Sequence, residues 1–324
     1  MSKLSIVIPV YYSADTLMDC YNDLCENVFN ILQNYELILV DDGSGDNSYD
    51  ICKDIAKEDK NVRLIKLSRN FGSHAACYAG VVASTGDCCT IKAADCQEPS
   101  TLILDMFESW QQGNKVVLAE RVGRKAGVFS KGFSNLYFKI VRTFVNKKMP
   151  KMGFDCFLLD RRAIEALKLL DERHSAMALQ VLWLGFTTST VSYVRQARLK
   201  GKSMWTLSKK IKMVVDSMVG FSPAPIRFVE VIGALFTVIA VIWGIWILIL
   251  RLTGNIFIEG WAALMLIVLF SSGMIMLSLG ILGEYIWRTY DVAQNRPVYI
   301  TEEEINSESI ESEIRKEHIK NEKK

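Results

Sequence analysis

Residues 36–44 read ELILVDDGS. The four apolar residues at 37–40 make a strand buried on both faces. Asp41 and Asp42 follow at its end, and Gly43-Ser44 is a turn pair. Carboxylates at the carboxyl edge of a buried strand lie where open α/β sheets bind ligands. Two readings fit them. They accept hydrogen bonds from ribose hydroxyls or a base N–H, or help hold a divalent metal. Alternatively they form an Asx turn and cap the helix that starts near residues 46–48.

Outward from this stretch, strands and helices alternate. Strands are expected at residues 4–10, 36–41, 62–67, 88–92 and 115–119, and helices at 15–33, 48–58, 73–84 and 100–112. This order predicts an α/β fold with a mostly parallel sheet. Helices at 129–145, 161–170 and 177–184 and a strand at 187–194 follow. No G-x-G-x-x-G follows the first strand, so a nicotinamide-type fingerprint is absent, as are a P-loop and an H-E-x-x-H pair.

The 324 residues are 50% hydrophobic, and much of that is concentrated. Residues 231–250 and 260–283 carry no charge, and each run is about long enough to cross a bilayer core. Only residues 251–259 separate them, which predicts a transmembrane hairpin. Lys200, Lys202, Lys209, Lys210, Lys212 and Arg227 precede the first run, and Arg288 and Arg296 follow the second. The positive-inside rule then puts both chain ends in the cytoplasm. Residues 203–219 read as a basic amphipathic helix, lying either on anionic lipid or on the globular domain. The amino terminus is too short and polar-flanked for a signal peptide. The eight cysteines show no C-x-x-C spacing and read as small core hydrophobes. The net charge of +2 is small, and no nucleic-acid partner is expected. Residues 301–324, acidic first and basic last, are expected to be disordered or a frayed helix.

A second polar cluster, ADCQEP, occupies residues 94–99. If this segment is extended, Asp95 and Gln97 point the same way and can share one hard cation. The alternative is a polar turn in which Glu98 complements a helix dipole.

SIVIPVYYS, ELILVDDGSGDNS, LSRNFGSHAACYAG and AADCQEPS, in this order and spacing, resemble glycosyltransferase family 2 with a GT-A fold. RVGRKAG, MGFDCFLLDRR, RQARLKGKSMWTLSKKIK and FSPAPIR, then two spans, sharpen the resemblance to the bacterial polyprenyl-phosphate glycosyltransferases, which are similar to dolichol-phosphate mannose synthase. The resemblance implies a GT-A domain at 1–200, an interfacial helix and linker at 201–228, spans at about 229–251 and 260–284, and a cytoplasmic tail at 288–324. It implies that Pro9, Tyr11, Asp41, Asp42, Ala94 and Asp95 line the nucleotide pocket. It puts Asp95 and Gln97 on a Mg²⁺ or Mn²⁺ ion, Arg121 and Arg124 on the lipid phosphate, and Asp155 near the acceptor as catalytic base. Ion-pairing Asp155 to an arginine is the competing role. Lys131, in a lysine-rich loop, and Arg198, Lys202 and Ser203, in a basic segment before the spans, are further candidates for the acceptor phosphate.

Two departures from the family pattern stand out. Ser13 replaces an acidic residue, and Ala93 replaces the first Asp of the D-x-D. The expected activity is transfer of a hexose, with inversion, from a nucleotide-diphosphate sugar to polyprenyl phosphate at the inner or plasma membrane. UDP-glucose is the first donor expected; UDP-N-acetylglucosamine and GDP-mannose come next. A homotetramer is the assembly that relatives imply. A processive polysaccharide synthase would need many spans and a Q-x-x-R-W helix. The other reading is a weak or inactive scaffold keeping the nucleotide fold.

Overall fold

The computed structural model describes residues 2–122, 128–170, 172, 176–196, 207–253 and 260–306. The chain forms two compact units, 211–296 and the remainder. The larger unit is built on an eight-stranded sheet. In chain order it runs β1 (Leu4–Val10), α1 (Ala14–Leu24), β2 (Tyr35–Asp41), α2 (Ser48–Glu58), β3 (Val62–Leu67), α3 (Ser73–Ala83), β4 (Cys88–Ile91) and α4 (Thr101–Gln111). Then come β5 (Val116–Arg121), α5 (Val128–Phe144), β6 (Phe154–Asp160), α6 (Arg161–Leu167), α7 (Met177–Trp183) and β7 (Thr188–Tyr193). The edge strand β8 (Thr301–Ile305) completes the sheet, whose order is β7-β5-β6-β4-β1-β2-β3-β8. Strands β1 to β4 pair in parallel, as do β5 and β7, whereas β6 runs against β4 and β5.

The central strands are apolar because helices cover both faces of a parallel sheet. Leu37, Ile38, Leu39 and Val40 of β2 are all buried. Gly80 of α3 is required by close approach: a Cβ there would meet Val7 Cγ1 of β1 at 2.3 Å. Pro9 sits in a central strand without breaking the ladder. The Val7 carbonyl faces β4, accepting from Lys92 N–H, so the Pro9 nitrogen faces the same side by alternation. The last β1–β4 pair is Val7–Ile91, so no ladder bond is lost at Pro9.

Three elements differ from the expectations. The helix expected over 15–33 ends at Leu24 and passes into one wide π-turn, Cys25–Phe29. Strand β6 lies in a stretch whose secondary structure was not read from the sequence. The acidic start of the expected disordered tail is β8, antiparallel to β3. Charge explains the last: Glu304 pairs with Arg63 at 2.6 Å, Glu302 with Lys66 at 3.2 Å, and Tyr49 Oη donates to Glu303 at 2.5 Å. The rest of the tail, from 307, lies outside the described residues.

In the smaller unit, α8 (Leu207–Phe221), which begins in the larger one, is followed by α9 (Ala224–Leu252) and α10 (Trp261–Ala293). Two stretches of these helices, Ala224–Ile247 and Ile267–Ala293, are long and apolar enough to cross a membrane, and neither is buried in protein. Phe236 and Phe270 join the two helices, with ring centroids 5.3 Å apart. Arg288 of α10 pairs with Asp216 of α8 at 2.6 Å.

At the amino edge of the sheet, the buried Glu36 carboxylate collects Thr85 N–H and Oγ1 (both 2.6 Å), Ser5 Oγ (2.7 Å) and Lys3 Nζ (2.9 Å). Burial alone would raise its pKa, but these donors outweigh burial and hold it at about 2. A depressed carboxylate stabilises the fold above the unfolded value, and that contribution is lost as pH falls through the depressed one. Glu36→Gln is therefore expected to lower the stability of the detergent-solubilised chain at pH 7 by roughly 2–3 kcal/mol. Denaturation midpoints should show the difference shrinking between pH 4.5 and pH 2; equal midpoints at pH 7 would count against it.

Candidate active site at the carboxyl edge of the sheet

The chain adds β2 and β3 on one side of β1, then crosses to add β4 on the other. Ligands of open α/β sheets bind outside the strand ends at such a reversal. Tyr11 leaves the end of β1, Asp41 ends β2 and Asp42 follows it, and Ala94 and Asp95 lie just past β4. Because β6 is antiparallel to β4, its first residues come to the same edge, and Asp155 is its second residue. Arg121 ends β5 in register with Tyr193 at the end of β7. The topology therefore brings nucleotide-side and acceptor-side candidates to one edge.

Asp41 and Asp42 are 1% and 2% exposed. Asp41 accepts from Ser44 N–H at 3.3 Å, three residues on and so one beyond the reach of an Asx turn. Gly43, at φ 69°, lies so close to Arg69 and Asn70 that a Cβ would clash. Asp42 accepts from Phe71 N–H at 2.7 Å and Gly72 N–H at 2.9 Å, so it organises the loop that leads into α3. Burial raises both carboxyls, against the hydrogen bonds from Ser44 and from the Phe71 and Gly72 amides. Tyr12, rather than Tyr11, takes the left-handed conformation (φ 50°), and Ser44 Oγ accepts from its N–H at 3.2 Å. The Tyr11 and Tyr12 rings meet edge-on.

The stretch after β4 is a turn and not an extended segment. Cys96 is left-handed, at φ 53°, so side-chain alternation does not bring Asp95 and Gln97 to one side. They are related instead by a local turn, with Gln97 N–H donating to Asp95 Oδ1 at 3.3 Å. Gln97 Oε1 accepts from Arg195 Nη2 at 2.5 Å. The backbones join too: Gln196 N–H donates to the Gln97 carbonyl at 3.0 Å.

Asp155 gathers three side chains at this edge. Its Oδ2 lies 3.0 Å from Arg121 Nε and 3.5 Å from Arg195 Nη1, and it accepts from Tyr193 Oη at 3.3 Å. The Arg121 Nε–H does not point along its contact, which is an ion pair and not a hydrogen bond. Burial, then the Asp155 charge, push the Tyr193 phenol up, so it remains a donor at working pH. Glu98, 4% exposed, is pushed up to about 7 by burial, with repulsion from Asp155 and Asp95 adding to it and Arg195 and Lys92 opposing. The fully buried Lys92 donates to the Glu98 carbonyl at 2.7 Å.

Sequence reading passed over Arg195, Tyr193 and Lys92 as site residues. One signal was available: Tyr193 and Arg195 are two apart on a strand and its extension, so both reach the same side. Of the other candidates, Lys131 falls in α5, whereas Arg124, Arg198, Lys202 and Ser203 lie outside the described residues.

A divalent cation held at this turn would meet a carboxylate in Asp95 and a neutral amide oxygen in Gln97. Among the described residues, no group of three His, Cys, Asp or Glu could hold a metal on its own. The pair suits a cation that draws its other ligands from a diphosphate.

Known proteins bear on this site. The chain is 35% identical over 308 residues to the uncharacterized glycosyltransferase YkcC of Bacillus subtilis (strain 168), covering 95% of each chain. It is 31% identical over 301 residues to the prophage bactoprenol glucosyl transferase homolog of Escherichia coli (strain K12), covering 92% of this chain and 98% of that one. Among solved structures, glucosyl-3-phosphoglycerate synthase from Mycobacterium tuberculosis, in complex with Mn²⁺, uridine diphosphate and glucosyl-3-phosphoglycerate, aligns at TM-score 0.51 and 15% identity. That alignment covers 68% of this chain and 79% of the synthase chain, and it shows a shared GT-A fold. Residues 5–168 match the family model described as Glycosyl transferase family 2, and the relatives extend the likeness over nearly the whole chain; the protein belongs to that family of glycosyltransferases.

Proposed function

We propose that this glycosyltransferase moves glucose from UDP-glucose to undecaprenyl (bactoprenol) phosphate, with inversion, at the cytoplasmic face of a membrane crossed by α9 and α10. The supporting observation is the linked set Gln97–Arg195–Asp155–Arg121, which joins the donor side of the cleft to its acceptor side. The bactoprenol glucosyl transferases among the relatives support the lipid acceptor and the sugar. UDP-N-acetylglucosamine and GDP-mannose are the next donors to test. On this reading, α8 lies in the membrane interface and both chain ends are cytoplasmic.

Each side chain has a role in this scheme. Pro9, Tyr11, Asp41, Asp42 and Ala94 shape the nucleotide pocket. Asp95 and Gln97 hold Mg²⁺ or Mn²⁺, which neutralises charge gathering on the leaving diphosphate. The acceptor phosphate is already anionic near neutral pH and needs placement more than deprotonation. Arg121, with a fork suited to phosphate oxygens, receives it, joined by Arg124, Lys131, Arg198, Lys202 and Ser203. Asp155 stands at the reacting centre. Its carboxylate is already paired with Arg121 and Arg195, so it acts by aiming Arg121.

Purified membranes given undecaprenyl phosphate and labelled UDP-glucose are expected to yield a labelled lipid. Asp95→Ala should cut the yield at least a hundredfold, on the order of one lost charge-stabilising group, and chelation by EDTA should do the same. No labelled lipid with any nucleotide sugar would favour the inactive-scaffold reading, which the Ala93 departure motivates. A separate test concerns the acceptor. Arg121→Ala should raise the KM for polyprenyl phosphate roughly tenfold or more, the scale of a lost charge-assisted contact, while UDP binding by calorimetry stays near wild type. Equal loss of both would contradict the role given to Arg121.

A further inference from the structure

Arg195 stands where the two halves of the cleft meet. Its Nη2 donates to Gln97 Oε1 at 2.5 Å and its Nη1 lies 3.5 Å from Asp155 Oδ2. Its Nε is buried without a hydrogen-bond partner. Backbone contacts hold it in place: Gln196 N–H donates to the Gln97 carbonyl at 3.0 Å, and Gln97 Nε2 reaches the Gln196 carbonyl at 3.5 Å. These amide contacts also fix which end of the Gln97 side chain is oxygen: the nitrogen faces a carbonyl and the oxygen faces a guanidinium.

Gln97 Oε1 is thus the atom that a guanidinium holds and that the proposed function gives to a divalent cation. Both are positively charged, and a shared oxygen would bring them within a few ångströms in a partly desolvated cleft. Repulsion at that distance makes the two contacts compete.

We propose that Arg195 is a positioning residue that competes with the donor's divalent cation for Gln97 Oε1, and so couples donor loading to the acceptor side. Arg195 yields the oxygen when the nucleotide and its cation bind. The ion pair to Asp155 then keeps the guanidinium in the cleft, with Nη2 and the unpartnered Nε free to face phosphate oxygens. Loading of the donor would therefore ready a cationic group for the acceptor, at the cost of weaker cation affinity. The inference rests on the reading that Asp95 and Gln97 hold the cation.

The test measures Mn²⁺ binding to the full-length, detergent-solubilised protein with saturating UDP, following free Mn²⁺ by its electron paramagnetic resonance signal. Arg195→Met keeps the length of the side chain and removes the donors. It is expected to tighten Mn²⁺ binding about tenfold, the scale of a charge-assisted hydrogen bond. Arg195→Lys, which retains a donor, should bring affinity back toward wild type. In a Gln97→Ala background, Arg195→Met should have no further effect. Unchanged or weaker binding in Arg195→Met overturns the proposal. So does a gain of equal size in the Gln97→Ala background, which would mean simple removal of a charge. UDP binding without Mn²⁺ confirms that each variant folds, and Arg195→Gln replaces Arg195→Met should that variant fail. If Asp95→Ala and Gln97→Ala both leave Mn²⁺ binding unchanged, the cation reading itself fails. If they weaken it while Arg195→Met does not tighten it, only the competition fails.

Discussion

One carboxylate oxygen on β6, Asp155 Oδ2, gathers Arg121 from β5 and Tyr193 and Arg195 from β7 and its extension. Asp155 itself is exposed, so solvent screens these pairs, and their weight lies in geometry more than in stability. The carboxylate is therefore an organiser before it is anything else. It links the ends of β5, β6 and β7, and through Arg195 it is joined to Gln97 in the turn after β4. An acceptor that arrives as a phosphate suits this arrangement, because fixed positive charge substitutes for the water it leaves behind.

The sheet supplies the remaining geometry. Reversal of the winding direction between β1 and β4 opens the edge, and antiparallel β6 delivers Asp155 to it from the far side of β4. A wholly parallel arrangement would have sent the start of β6 to the opposite edge. At that opposite edge Glu36 ties β2 to Lys3, Ser5 and Thr85, so one end of the sheet is closed by satisfied polar contacts. The carboxyl end keeps less settled groups: Glu98 with a buried unpartnered oxygen, and two arginines whose Nε atoms lack a hydrogen bond. Polar groups left in that condition are candidates for contact with a ligand, an ion or water.

Much of the core was legible from hydrophobic runs and turn residues. Strands β1 to β4 and their helices fall close to where β-branched runs and Gly, Asp and Pro punctuation put them, because a doubly covered parallel sheet writes its burial directly into sequence. Strand β8 was not legible. TEEEI reads as a solvated tail, and only Arg63 and Lys66 on a distant strand make it an edge. The turn at Cys96 was hidden for a related reason: nothing local announces that a cysteine takes a left-handed backbone. Asp95 and Gln97 could be picked out by type and spacing, whereas the hold of Arg195 on Gln97 joins residues 98 apart in sequence and belongs to tertiary structure. The family resemblance pointed to Arg121 and to Asp155; the ion pair between them came from the fold.

The most direct measurement of the central claim is an electron cryo-microscopy structure of the full chain in a lipid nanodisc with UDP and Mn²⁺. The account predicts an ion contacted by Asp95 and Gln97, with Arg195 withdrawn from Gln97 and still paired to Asp155. An ion bound elsewhere, with Arg195 still on Gln97 and Asp155 facing away from the nucleotide, would contradict it.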